Sequence, residues 1–167
     1  MKRTYSFTAI GLSISLFIYL FYRSKSTVVN ELITLVLSSD TFTQLRISVT
    51  DTIPLSDLVI FSLPGGLWVF CMTILSKDLY IKIREHKIRI AIVPIVFAVG
   101  LEFLQLFHVA HGTFDLWDLG FYLSFWLPGY YGLQSRGSQQ NMLSPFTLES
   151  FICLTCFLSV YLAHVNQ

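Results

Sequence analysis

The chain has 167 residues, of which 54% are hydrophobic, 16% aromatic and only 13% charged, with a formal net charge of +1. The length fits a single domain, 1–167, but a soluble domain of this size carries about 25% charge, so the composition points to an integral membrane protein. With no basic excess to neutralise phosphates, nucleic acid is excluded as a partner.

Lys2 and Arg3 precede an apolar run over 7–22. The run is long, ends in Phe21-Tyr22-Arg23 and lacks a small-residue cleavage pattern, which predicts an uncleaved first transmembrane helix. Gly11 and Ser15 lie one turn apart and let another helix approach. Residues 23–57 form the most polar part, expected on the outer side. Within them Val28–Leu37 is too short to span and reads as an interfacial or re-entrant amphipathic segment ended by Ser38-Ser39-Asp40. Leu45, Ile47 and Val49 alternate with polar residues, predicting an extended or surface-bound piece.

The second span is 58–75. Pro64-Gly65-Gly66 near its middle predicts a kink that improves packing or a break that lines a cavity. A basic loop follows, with Lys77, Lys82, Arg84, Lys87 and Arg89 against Asp78 and Glu85. The remaining spans are 88–107, 116–133 and 148–163. The expected fold class is therefore an all-α integral membrane protein of about five transmembrane helices plus the interfacial segment. Cys71, Cys153 and Cys156 sit in apolar runs and read as packed thiols rather than redox groups.

A cytoplasmic N-terminus puts eight of the eleven Lys and Arg inside and leaves Arg23, Lys25 and Arg46 outside. The expected location is a multi-pass protein of a bacterial cytoplasmic (inner) membrane. The turn 108–115 then faces outward.

Glu102 and Gln105 share a helix face one turn apart, close to that outward end. An ionised carboxylate at the bilayer centre costs about 2.5–3.5 kcal/mol, so Glu102 needs a donor or a protein-facing position. Gln105, His108 and His111 are candidate donors. Asp115 and Asp118 repeat the spacing at the next helix start, where carboxylates cap free amides and complement the dipole. A short turn at Gly112-Thr113 makes the two helices antiparallel neighbours, so all six polar residues converge at one end. Such a cluster offers three kinds of chemistry: a zinc site from His108, His111 and carboxylates, an acid–base pair, or recognition of a polar headgroup or peptide without turnover. No nucleophile elbow, phosphate loop or zincin motif is present.

Glu102-x-x-Gln105, then Phe107, a short turn and Asp115-x-x-Asp118 leading into a glycine-containing span resemble the VanZ-like membrane proteins. The resemblance covers Gly100–Gly129, and Asp57 matches an acid before the second span. The family's turn arginine falls on Gly112, or on His111 if the turn shifts by one, and its helix asparagine falls near Tyr122. His111 replaces an arginine only when protonated. The resemblance implies a small multi-spanning bacterial protein with no cofactor and no proven catalytic residue. It also implies a link to teicoplanin-type glycopeptide resistance or other cell-envelope interactions. The expected partner is a membrane lipid or envelope component at the outer face. The alternatives are a membrane-embedded hydrolase of a lipid-linked substrate, or a small transporter subunit, which at this length needs to form a homo-oligomer.

Overall fold

The computed structural model describes residues 2–23, 38–110, 112–132 and 139–165. Its elements are α1 (Lys2–Tyr22), α2 (Ser39–Thr52), α3 (Asp57–Ser76), β1 (Leu79–Ile83), β2 (His86–Arg89), α4 (Val93–Leu106), α5 (Leu116–Leu127), β3 (Gln140–Asn141) and α6 (Leu148–Val165). A 3-10 turn, Ile90–Ile92, leads into α4, and a π-helical turn, Pro128–Gly132, continues α5. The fold is mostly helical. Two stretches, Tyr5–Tyr22 and Asp57–Ser76, are long and apolar enough to cross a membrane, while Ile90–Leu106 and Leu148–Leu158 are apolar and shorter.

Helix α3 is the centre of the bundle, in contact with α1, α4, α5 and α6. Trp68, Val69 and Met72 on α3 join Ile95 and Ala98 of α4 and Cys153 of α6 in the core. Polar groups on this apolar helix turn back onto its own backbone. Thr73 Oγ1 donates to the Val69 carbonyl and Ser76 Oγ to that of Met72, each at 2.6 Å. Buried hydroxyls are thereby satisfied without a partner helix.

The motif Pro64-Gly65-Gly66 does not break α3, which runs unbroken from Asp57 to Ser76 with Pro64 buried inside it. Its glycines serve close packing. A Cβ on Gly65 would lie 2.7 Å from Tyr122 Cε1, and one on Gly66 2.8 Å from Phe125 Cδ2. Aromatic rings of α5 thus rest directly on the α3 backbone. Helix α1 approaches from another side as expected. Gly11 faces Cys71 Sγ, and Ser15 Oγ donates to the Pro64 carbonyl at 3.5 Å.

Two expectations are corrected. The fold is not all-α: the basic loop forms an antiparallel hairpin, with Ile81 opposite Ile88 and Lys82 opposite Lys87. β3 adds in parallel, giving the order β2-β1-β3. In Leu79–Arg89 the residues Leu79, Ile81 and Ile83 alternate with Tyr80 and Lys82, which suits a pleated surface better than a helix. Helix in the third span therefore begins only at Ile90, beyond the expected start at 88. Second, Leu45, Ile47 and Val49 lie in helix α2, not in an extended piece. Ser38 begins that helix by accepting from Thr41 N, so Ser38-Ser39-Asp40 opens a helix. Alternation over five residues is too short to separate a strand from a helix anchored elsewhere. Here the anchors are Phe42, buried beside Phe21, and Arg46, which caps the end of α1 by donating to the Phe21 and Arg23 carbonyls. The expected interfacial segment Val28–Leu37 lies outside the described residues.

The bundle has two chemically different ends. The sheet, with Lys77, Lys82, Arg84, Lys87 and Arg89, lies at one. The start of α1 is at that end too, since Tyr5 donates to Glu149 at the start of α6. The end of α1, the start of α3 and the α4–α5 turn are at the other, which holds Arg23 and Arg46.

Candidate functional site

Helix α4 stops where its backbone turns left-handed. His108 has φ +57°, and the amides of Val109 and Ala110 fold back onto the Leu104 carbonyl at 2.8 and 3.2 Å. This closes free carbonyls at the helix end. His108 is therefore a backbone terminator with an exposed side chain. Gly112 has φ +126° and lies over Gln105, whose Nε2 would be 2.7 Å from a Cβ there. The turn needs glycine for both reasons. Gln105 packs beneath the turn.

Helix α5 opens on Asp115, whose Oδ1 accepts from Trp117 N at 2.9 Å. The N-cap role expected for it is what the structure has. Its own amide donates to Glu102 Oε2 at 3.3 Å. Glu102 is 3% exposed, and its other oxygen accepts from the Tyr122 hydroxyl, also at 3.3 Å. One carboxylate therefore ties the end of α4 to the first residue of α5 and to the next turn but one.

Asp118 lies one turn into α5 and faces α3, where its carboxylate interacts with the Ser62 hydroxyl. Its Oδ1 is buried without a hydrogen-bond partner among the described residues. The nearest cationic influence is Arg23, at the end of α1. The Arg23 guanidinium lies over the Tyr19 ring, 4.4 Å from the centroid, and 5.6 Å from that of Phe61. It donates to the Tyr19 hydroxyl at 3.0 Å and to the Phe61 carbonyl at 2.9 Å, while Nε is buried with no partner among the described residues. Cation–π stacking of this kind holds a guanidinium in a partly dry place without a carboxylate.

Of the six expected site residues, Glu102 and Asp115 are directly joined. Gln105 supports the turn, Asp118 stands beside them on the α3 side, and His108 points outward. His111 lies outside the described residues. Among the described residues the hydrogen-bond partners of Glu102 are the Asp115 amide and the Tyr122 hydroxyl, and His108 is not one of them. Among the described residues no group of three His, Cys, Asp or Glu side chains is placed to hold a metal ion.

Sequence reasoning missed Arg23, Tyr19, Ser62 and Tyr122. Two signals were readable. Arg23 follows Tyr19 by one helical turn, and Tyr122 follows Asp118 by one turn. Tyr122, near which the family's asparagine falls, supplies through its hydroxyl a donor to Glu102. What the arrangement offers is a half-buried carboxylate and a half-buried guanidinium at one end of the bundle, each with one buried polar atom that has no hydrogen-bond partner among the described residues. The chain matches no protein-family model, no curated protein and no solved structure.

Proposed function

We propose that this is a VanZ-like multi-pass protein of the bacterial cytoplasmic membrane. On this reading it spans about five times with its N-terminus inside. Its outer-face polar site binds a cell-envelope component, in the manner of teicoplanin-type resistance, without catalysis. Several features support the membrane part. Large apolar side chains face outward on each long helix: Phe7, Ile10 and Ile14 on α1, Leu123 and Leu127 on α5, Phe151, Leu154 and Leu158 on α6. A water-soluble surface does not carry apolar faces on this scale. Ile90–Leu106 has 17 residues, a rise of about 25 Å, which is within the range of short crossings. The cations divide as an inside rule expects. Among the cations whose side chains are described, the five of the hairpin region stand at the sheet end, where α1 also starts, and Arg23 and Arg46 at the other.

The observation that carries the functional part is the cluster of Glu102, Tyr122, Asp118, Ser62 and Arg23, drawn from four helices to the end opposite the sheet. Each of these groups is costly in an apolar bundle. Glu102 is fully used in holding the turn, and Asp118 with Arg23 remains for a ligand. Expression in a susceptible Gram-positive host is expected to raise the teicoplanin concentration tolerated. Asp118→Asn and Arg23→Gln are expected to abolish the rise at unchanged protein levels. An unchanged dose response with verified membrane insertion refutes the reading.

A further inference from the structure

The hairpin β1–β2 sorts its side chains by charge. Directly opposed residues of an antiparallel ladder share a face, and successive residues alternate. Lys82 therefore stands beside Lys87, with Tyr80 and Arg89 next along the same face. Ile81, Ile83, Ile88 and His86 share the other. Two lysines directly opposed repel each other. Among the described residues neither has a carboxylate partner; Lys87 Nζ instead lies 4.9 Å from the Tyr80 ring centroid. Arg84 occupies the turn at φ +56° and is exposed.

The apolar face is only half used. Ile81 packs against the core, but Ile83 and Ile88 remain 54% and 46% exposed. Just beyond β2, Ile92, Val93 and Val96 are exposed as well. A soluble hairpin gains nothing from bare isoleucines backed by unpaired lysines. The combination suits a surface that is apolar on one side and anionic at its rim. A nucleic acid or an acidic peptide would answer the lysines and leave the isoleucines in water.

We propose that this hairpin docks on anionic phospholipid at the cytoplasmic leaflet. Ile83 and Ile88 enter the interfacial layer, while Lys82, Arg84 and Lys87 reach lipid phosphates with their long stems. The docking rests on the multi-pass reading above. It goes beyond that reading in assigning a second lipid-binding element, at the end away from the polar site, with a headgroup preference.

The test uses the full chain in vesicles of phosphatidylcholine alone or with phosphatidylglycerol added. An environment-sensitive fluorophore is attached at Ile83→Cys, and the chain without that cysteine is labelled in parallel as the blank. With phosphatidylglycerol present, emission is expected to shift to the blue and to be quenched by nitroxide placed near the lipid headgroup. In phosphatidylcholine it should remain water-like. Each cation contributes a factor of about five to binding an anionic surface. Adding Lys82→Gln and Lys87→Gln should therefore return most of the signal to the water-like state. Water-like emission in both vesicles overturns the docking. Buried emission in both, or no effect of the double substitution, overturns the anionic preference. Flotation separates the two levels: a chain that does not float with either vesicle refutes the multi-pass reading and the docking with it, whereas a floating chain with residue 83 in water refutes the docking alone.

Discussion

Substituting alanine for Gly65 perturbs the site without touching a polar residue. The new Cβ would lie 2.7 Å from Tyr122 Cε1 and 3.3 Å from its hydroxyl oxygen. The ring cannot simply turn aside, because its tip is held by Glu102 at 3.3 Å. Either α5 backs away from α3 or the hydroxyl leaves the carboxylate. Overpacking of this kind costs about 1–3 kcal/mol, and a buried carboxylate that loses a donor costs about 1–3 kcal/mol more. Alanine returns about 1 kcal/mol through helix propensity. A net loss of about 1–5 kcal/mol is expected for Gly65→Ala. The control is Gly120→Ala, where no atom lies within 4 Å of the new Cβ. It should be neutral or stabilised by up to about 1 kcal/mol. Unfolding in mixed micelles, followed by tryptophan fluorescence as the denaturing detergent is raised, compares the two. Combined with Tyr122→Phe, the Gly65→Ala loss should fall short of additive, since both act on one hydrogen bond. If Gly65→Ala unfolds no earlier than Gly120→Ala, the account of the α3–α5 contact is wrong.

Asp115→Ala removes the cap accepted from Trp117 N and should cost about 0.5–2 kcal/mol; Asp115→Asn should recover most of it in the same unfolding assay. Topology is checked in intact cells by a membrane-impermeant maleimide. Val109→Cys, whose parent side chain is 71% exposed in the turn, should label from outside, and Arg84→Cys only after the membrane is opened. Labelling of Arg84→Cys in sealed cells would reverse the proposed orientation.

Apolar runs translated well into elements. The expected 7–22, 58–75 and 116–133 fall on α1, α3 and α5 with its π-turn, because a sustained apolar run has few other ways to satisfy its backbone. The hairpin was hidden by a different signal: a cluster of Lys and Arg between apolar runs reads as a loop, and its period-two pattern of isoleucines went unused. The site was legible only in part for a reason of distance. Asp115 could be read as a cap because an N-cap is local chemistry. The Glu102 acceptor role was also local in outline, since Asp115 is only a short turn away. Ser62 and Arg23 are separated from Asp118 by more than fifty residues, and no spacing within one helix announces them. Of the two readings of Pro64-Gly65-Gly66, packing agrees with the glycine contacts and the break does not. Glycine in a span marks close approach as readily as flexibility, and choosing between them requires knowing what approaches.

The charges at the end opposite the sheet are kept apart rather than neutralised, and that separation bears on the proposed function. A structural network would pair the buried carboxylate with the guanidinium, since an ion pair with its hydrogen bonds met is the cheapest way to hold both in a dry bundle. Here Glu102 takes its donors from a phenol and a backbone amide, both neutral. Arg23 takes its partners from a hydroxyl, a carbonyl and two aromatic rings, also neutral. Asp118 feels Arg23 through space, yet among the described residues its Oδ1 and the Arg23 Nε each lack a hydrogen-bond partner. An unused acceptor and an unused donor, on α5 and α1, are costly to the fold alone. They become favourable when a third group supplies a donor to one and an acceptor to the other. A ligand carrying both, such as an amide or an ammonium beside a phosphate or carboxylate, has that pattern, and envelope precursors and lipid headgroups offer it. This polarity argues for recognition at the site and leaves Glu102 the task of holding the turn in shape.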